Sequence, residues 1–133
     1  MTITYKLEDI DTIAKKILAY CSGKVFLFYG DMGVGKTTLI KSMAKQLGVT
    51  HPMSSPSFSL VNEYLTNDVR IYHFDMYRIN NENEALDIGF EAYLEKDGYL
   101  FIEWPEKIPN LIPFDAHKVY LKVINDHERT AKF

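Results

Sequence analysis

The sequence predicts an α/β fold: one domain over residues 1–133, with a mixed sheet of parallel core and antiparallel edge strands flanked by helices. Three observations predict it. The apolar run Lys24-Val25-Phe26-Leu27-Phe28-Tyr29 leads into a glycine-rich loop and then into apolar residues at helical spacing. A second short apolar run, Tyr99-Leu100-Phe101-Ile102, has the same character of a central strand. Between them, residues 58–64 and 69–76 look like strands joined by Thr66-Asn67-Asp68, a connection too short for a crossover, so this pair is antiparallel.

The other elements follow in chain order. Residues 8–20 carry Ile10, Ile13, Ala14, Ile17 and Leu18 at helical spacing, an amphipathic helix ended by Ser22-Gly23. After the loop, Leu39, Ile40, Met43, Ala44 and Leu47 mark a second helix, with Gly48 as its stop. His51-Pro52-Met53-Ser54-Ser55-Pro56-Ser57 combines prolines and serines and reads as irregular. Residues 83–94 are helical with an interruption near Gly89. Pro105, Pro109 and Pro113 punctuate an irregular stretch, and Val119-Tyr120-Leu121-Lys122-Val123 forms a closing hairpin with the last residues around Asn125-Asp126.

A chain of 133 residues suits one domain, and 47% hydrophobic with 25% charged residues marks it as globular. Its net charge of −3 supplies no global field for nucleic acid, so any RNA contact comes through a partner or a local patch. The single cysteine, Cys21, forbids an internal disulfide and fits a reducing cytosol. With no signal peptide and no run of 18 apolar residues, the expectation is a soluble, cytoplasmic protein.

Residues Gly30-Asp31-Met32-Gly33-Val34-Gly35-Lys36-Thr37 spell GxxxxGKT, the phosphate-binding loop of nucleotide triphosphatases. Its glycines let backbone N–H groups turn inward around phosphates where a Cβ would clash. Lys36 brings a positive charge to the β- and γ-phosphates, Thr37 places a hydroxyl for Mg²⁺, and the following helix adds its positive end. The surrounding strand and helix stand in the order that mechanism needs, so the domain reads as P-loop NTPase-like. A dinucleotide fingerprint fits less well, because Thr38 stands where a third glycine belongs.

A magnesium–nucleotide site needs a carboxylate at a strand end near the loop. Asp75 and Glu103 both qualify, each closing an apolar strand, and pattern alone does not rank them. Ser55-Pro56-Ser57-Phe58 lies where switch loops lie, and equally suits an ordinary surface loop. His73 reads as a satisfied histidine on one sheet face, Arg78 as a phosphate contact or an ion-pair partner, and Trp104 as a core or interface aromatic. The guanine-reading Asn-Lys-x-Asp motif is absent, which favours ATP.

Gly30 to Thr38, Ser55-Pro56-Ser57-Phe58, His73-Phe74-Asp75-Met76-Tyr77-Arg78 and Glu103-Trp104, in this order and spacing, resemble the TsaE (YjeE) family. These are bacterial ATPases of tRNA threonylcarbamoyladenosine formation, and the resemblance covers essentially the whole chain. It implies that Gly33, Val34, Gly35, Lys36, Thr37 and Thr38 hold the ATP phosphates, that Thr37 and Glu103 hold Mg²⁺, and that Asp75 is essential to hydrolysis, with Lys36 and Asp75 as the catalytic pair. It also implies that Trp104 lies near the nucleotide or a partner, and that residues 8–10 wall the adenine. The family usually has threonine at position 57, where this chain has Ser57. The implied partners are TsaD and TsaB, with tRNA met indirectly through that complex. The resulting expectation is Mg-dependent ATP hydrolysis that resets the assembly between turnovers. A small-molecule P-loop kinase, or a nucleotide-sensing module with incidental hydrolysis, are the alternatives. Against the kinase, no arginine-rich lid lies between Phe58 and Leu100.

Overall fold

The computed structural model describes residues 1–50 and 60–133. The irregular Ser/Pro segment, the candidate switch residues Ser55 and Ser57, and the start of the strand expected at residues 58–64 lie outside the described residues. In chain order the elements are β1 (Thr2–Lys6), α1 (Ile10–Tyr20), β2 (Val25–Tyr29), α2 (Lys36–Gln46), β3 (Val61–Leu65), β4 (Arg70–Asp75), α3 (Glu82–Asp87), α4 (Phe90–Leu94), β5 (Tyr99–Glu103), β6 (His117–Val123) and β7 (Glu128–Lys132). Short 3-10 turns occupy Leu7–Asp9 and Pro105–Lys107.

Seven strands form one sheet in the order β1-β7-β6-β2-β5-β4-β3. β6, β2, β5 and β4 run parallel, while β3 and the β7–β1 pair run antiparallel at the two edges. The expected architecture is therefore present, with one addition. Thr2–Lys6 forms an outer strand beyond the C-terminal hairpin, an element the sequence pattern does not predict. The alternation that marks it is short: Ile3 and Tyr5 turn inward and Thr2, Thr4 and Lys6 outward.

Alternation along the strands divides the core. Phe26 and Phe28 of β2, Ile71 of β4 and Phe101 of β5 pack with α1 and α2 on one face. Leu27, Phe74, Leu100 and Ile102 pack with Ala85 and Phe90 of α3 and α4 on the other. Central strands are covered twice, so they read as continuous apolar runs; β6 and β1 alternate inward-turned with exposed positions because one of their faces meets solvent, and β7 buries only Ala131. Across the first face, Ser42 and Lys45 of α2 hydrogen-bond Asp11 of α1, with Lys45 Nζ at 2.9 Å. These two hydrogen bonds hold the Asp11 carboxyl below its ordinary pKa. α3 opens with a capping box, Asn81 accepting from Asn83 N and Glu84 reaching back to the Asn81 amide. Gly89 separates α3 from α4, where the interruption was expected. Cys21 is a free, buried thiol. Among the described residues, no helix is long and apolar enough to cross a membrane.

Candidate nucleotide site

The carboxyl ends of β2, β5 and β4 lie side by side, the place where open α/β sheets hold ligands. Phe28 pairs with Glu103, and Glu103 with Asp75, so the loop after β2 and both candidate carboxylates converge. The odd-numbered positions Ile71, His73 and Asp75, and Tyr99, Phe101 and Glu103, share the face covered by α2. The period-2 alternation of two apolar strands thereby turns their polar residues towards the loop helix.

The loop runs from Gly30 to Gly35, and Lys36 opens α2. Gly33 and Gly35 have φ of +81° and +108°, left-handed values that side-chain-bearing residues rarely adopt. A Cβ at either would meet nothing within 4 Å, so the backbone turn, and not a steric clash within the protein, calls for glycine there. Gly30 is the close approach: a Cβ would fall 2.9 Å from the Leu121 carbonyl of β6. Val34 is buried, and its carbonyl accepts from Arg129 Nε of β7 at 3.2 Å. Arg129 also donates to the Asn125 and Glu128 carbonyls, tying the loop to the last hairpin.

Lys36 is 5% exposed. Its Nζ donates to the Gly30 carbonyl and sits 3.5 Å from the centroid of the Trp104 ring. Burial pushes this ammonium below its ordinary pKa, against the opposing pull of Glu103, Glu106, Asp75 and Asp31. Trp104 has a left-handed φ of +57°, unusual for a non-glycine residue, and its ring also packs on Tyr77 at 4.9 Å. Backbone strain of this kind concentrates at functional sites.

Thr37 Oγ1 donates to Glu103, 3.0 Å from each carboxylate oxygen. Glu103 is 3% exposed and accepts a second donor, His73 Nε2, at 2.6 Å. His73 is itself 1% exposed, and its Nδ1 has no hydrogen-bond partner among the described residues. The reading of His73 as a satisfied histidine is thus half right: one ring nitrogen is used, and by a site residue. Asp75 accepts the Tyr77 amide at 3.0 Å through Oδ1, while Oδ2 makes no hydrogen bond among the described residues. Its carboxyl is raised above the ordinary value by burial and by the negative charge of Glu103, with the Tyr77 amide opposing.

Beyond the loop, a cavity of about 220 Å³ is lined by Gly33, Val34, Gly35, Thr38, Tyr5 and Ile10 among others. Leu7 and Arg129 also border it. Tyr5 and Arg129 were not expected at the site. Both come from the paired terminal strands, where a lone tyrosine or arginine carries no motif, and only the β1–β7 register brings them to the loop.

The oxygen donors Thr37 and Glu103, already in contact and set behind the loop, suit a hard cation such as Mg²⁺, which takes few protein ligands when phosphates complete its shell. No larger cluster is required: among the described residues, no group of three or more His, Cys, Asp or Glu could hold a metal.

The family model described as "Threonylcarbamoyl adenosine biosynthesis protein TsaE" matches residues 4–131. The tRNA threonylcarbamoyladenosine biosynthesis protein TsaE of Bacillus subtilis (strain 168) is 34% identical over 131 residues, 98% of this chain and 82% of that protein. Its counterpart from Rickettsia bellii (strain RML369-C) is 35% identical over 130 residues, 96% of this chain and 90% of that one. The crystal structure of Bacillus subtilis YdiB matches with a TM-score of 0.77 at 28% identity, covering 98% of this chain and 83% of that chain.

Proposed function

The chain belongs to the TsaE family, acting in tRNA threonylcarbamoyladenosine biosynthesis, and from that premise we propose that it is a Mg-dependent ATPase driving the cycling of a TsaB/TsaD assembly. The observation that carries this reading is the contact of Thr37 with Glu103 directly behind a glycine loop of phosphate-binding pattern. A dedicated acidic partner for the loop threonine is what a metal–triphosphate site needs, and what a decorative turn lacks.

In this reading the amides of Gly33, Val34, Gly35, Thr37 and Thr38 cradle the phosphates, assisted by the positive end of α2. Lys36 leaves the Gly30 carbonyl and the Trp104 face for phosphate oxygens, a charge-assisted contact stronger than either it gives up. Thr37 and Glu103 would hold Mg²⁺, which would supply positive charge against the phosphates. Asp75 orients the attacking water through Oδ2, its other oxygen being fixed by the Tyr77 amide. The cavity beside Tyr5 and Ile10 takes the adenine. TsaD and TsaB are the partners, and tRNA enters through them; hydrolysis resets the assembly and does not form the modification bond.

The test is multi-turnover formation of modified tRNA by reconstituted TsaB and TsaD, with and without this chain, paired with calorimetry of ATP binding. Repeated turnover should require the chain and ATP. Lys36→Ala should weaken ATP binding by about 100-fold, the loss of one strong charged contact worth roughly 3 kcal/mol, and stop turnover. Equal turnover without the chain, or wild-type ATP affinity in the variant, would overturn the reading.

A further inference from the structure

Half of one sheet face is bare. Helices α3 and α4 pack on β2, β5 and β4, while among the described residues no helix lies over β6, β7 and β1 on that side. Val119 and Leu121 of β6 and Ala131 of β7 join the core beside α1 and α2, so Tyr120, Lys122, Thr130 and Lys132 alternate to the bare side. Register sets them in a grid. Tyr120 stands opposite Lys132 and Lys122 opposite Thr130, with Thr2 of β1 on the far side of Lys132. Lys122 and Lys132 are therefore diagonal neighbours, about 7–8 Å apart at the backbone, near enough for two long side chains to meet one group. Among the described residues, neither makes a salt bridge.

Tyr29 of β2 pairs with Tyr120, and their rings stack with centroids 4.8 Å apart and planes 16° from parallel. Tyr120 is 42% exposed, so the pair presents an aromatic wall to solvent. The wall, the two lysines and the two threonines line one cavity of about 440 Å³, which reaches Gly30 at the start of the phosphate loop. That size falls among small-ligand pockets. The cavity shares no lining residue with the one beside Tyr5. Its two sides differ in charge, with Tyr29 on one side of Tyr120 and Lys132 on the other. Burial raises the Tyr29 hydroxyl above its ordinary pKa, and negative charge from Tyr120 and Glu106 adds to it, so a carboxylate stands near the Tyr29 side.

We infer that this cavity is a second small-molecule site that takes a free nucleoside monophosphate, its base against the tyrosine pair and its phosphate between Lys122 and Lys132. The charges match. A phosphomonoester carries about −1.5 to −2 charge at neutral pH, and two lysines answer it; a triphosphate brings more charge than they can meet. An inorganic anion leaves the aromatic wall unused, and an uncharged nucleoside leaves the lysines unused. The wall accepts any base, because each has a face to stack. Thr2 and Thr130 supply hydroxyls of the kind that meet phosphate and sugar oxygens. Glu106 turns the phosphate away from the Tyr29 side. No residue proposed to hold ATP or Mg²⁺ lines this cavity, so the inference goes beyond the ATPase reading and does not depend on it.

Backbone-amide NMR spectra of the full chain, titrated with AMP, test it. The amides of residues 120–122 and 130–132 should shift, and the shifts should saturate. Adenosine and inorganic phosphate should each bind at least about tenfold more weakly than AMP, since one lacks the charged contacts and the other the stacked ring. The double variant Lys122→Glu, Lys132→Glu should weaken AMP at least about tenfold, and Tyr120→Ala about five- to tenfold, with the dispersion of the spectra showing that each is folded. Lys36→Ala, which is aimed at ATP in the phosphate loop, should leave the AMP shifts in place, so this inference and the ATPase reading fail separately. Shifts absent or confined to the phosphate loop at high AMP, charge-reversed protein with unchanged AMP affinity, or inorganic phosphate bound as tightly as AMP would each overturn it.

Discussion

Glu103 and Asp75 end neighbouring strands, stand opposite each other in register and share a sheet face, yet the fold treats them differently. Glu103 is buried and met by two side-chain donors, the Thr37 hydroxyl and the His73 ring. Asp75 is half-buried, keeps one oxygen on a backbone amide and leaves the other uncommitted among the described residues. A carboxylate fixed on both sides suits holding a cation in place; one with an oxygen to spare and a raised pKa suits steering a water molecule. Identical chemistry one strand apart thus sits in two different environments, set by its donors alone.

The largest expected effect breaks the pair apart. Asp75→Asn should lower ATP turnover by about 10²–10⁴-fold while leaving ATP binding within about threefold, since it removes an orienting base and no phosphate contact. Glu103→Gln should instead weaken Mg²⁺ binding, by more than the ~10–100-fold typical of losing an outer partner of a metal ligand. Turnover measured across a Mg²⁺ titration, with Mn²⁺ binding followed by electron paramagnetic resonance, distinguishes the two. If both variants show the same metal dependence, the assignment of separate roles fails.

A smaller effect sharpens the contrast. Among the described residues His73 hydrogen-bonds Glu103 alone, so its removal should act chiefly through that residue's position. His73→Leu should cost about 10–100-fold in Mn²⁺ affinity, and His73→Gln, whose amide can reach where Nε2 stands, should restore much of it. Unchanged metal affinity in the leucine variant would reduce His73 to packing.

Motif and geometry were not equally legible in the sequence. The phosphate loop was readable because its parts are contiguous and its flanking strand and helix carry strong apolar periods. The Thr37–Glu103 contact bridges 66 positions, so the residues alone left Glu103 and Asp75 unranked and only the family resemblance chose between them. Strand register is what joins them, and register is set by long-range packing that no local window contains. The same reason hid β1, Tyr5 and Arg129: five residues with two inward side chains make a weak signal until β7 lies beside them. His73 carries the pattern of an ordinary sheet histidine because its partner stands 30 positions away.

The smallest effect concerns stability and carries the comparison back to the same two strand ends. In the nucleotide-free protein, burial and the neighbouring Glu103 raise the Asp75 pKa above its unfolded value. Between the two values the folded state binds more protons than the unfolded chain, so this group's contribution to stability falls as pH rises through the raised pKa. An asparagine at 75 keeps an oxygen for the Tyr77 amide and carries no charge to desolvate. Asp75→Asn should therefore melt above the wild type at neutral pH, with the gap closing once the pH falls below the ordinary carboxylate value of about 3.9. Asp11 shifts the opposite way, because Ser42 and Lys45 favour its charged form, but it is present in both proteins and cancels in the difference. Thermal melts of the pair across pH, without nucleotide or metal, make the measurement. A variant less stable than wild type at neutral pH would show that the charge of Asp75 is welcome in the fold, and would take away the cost that marks it as a group kept for chemistry.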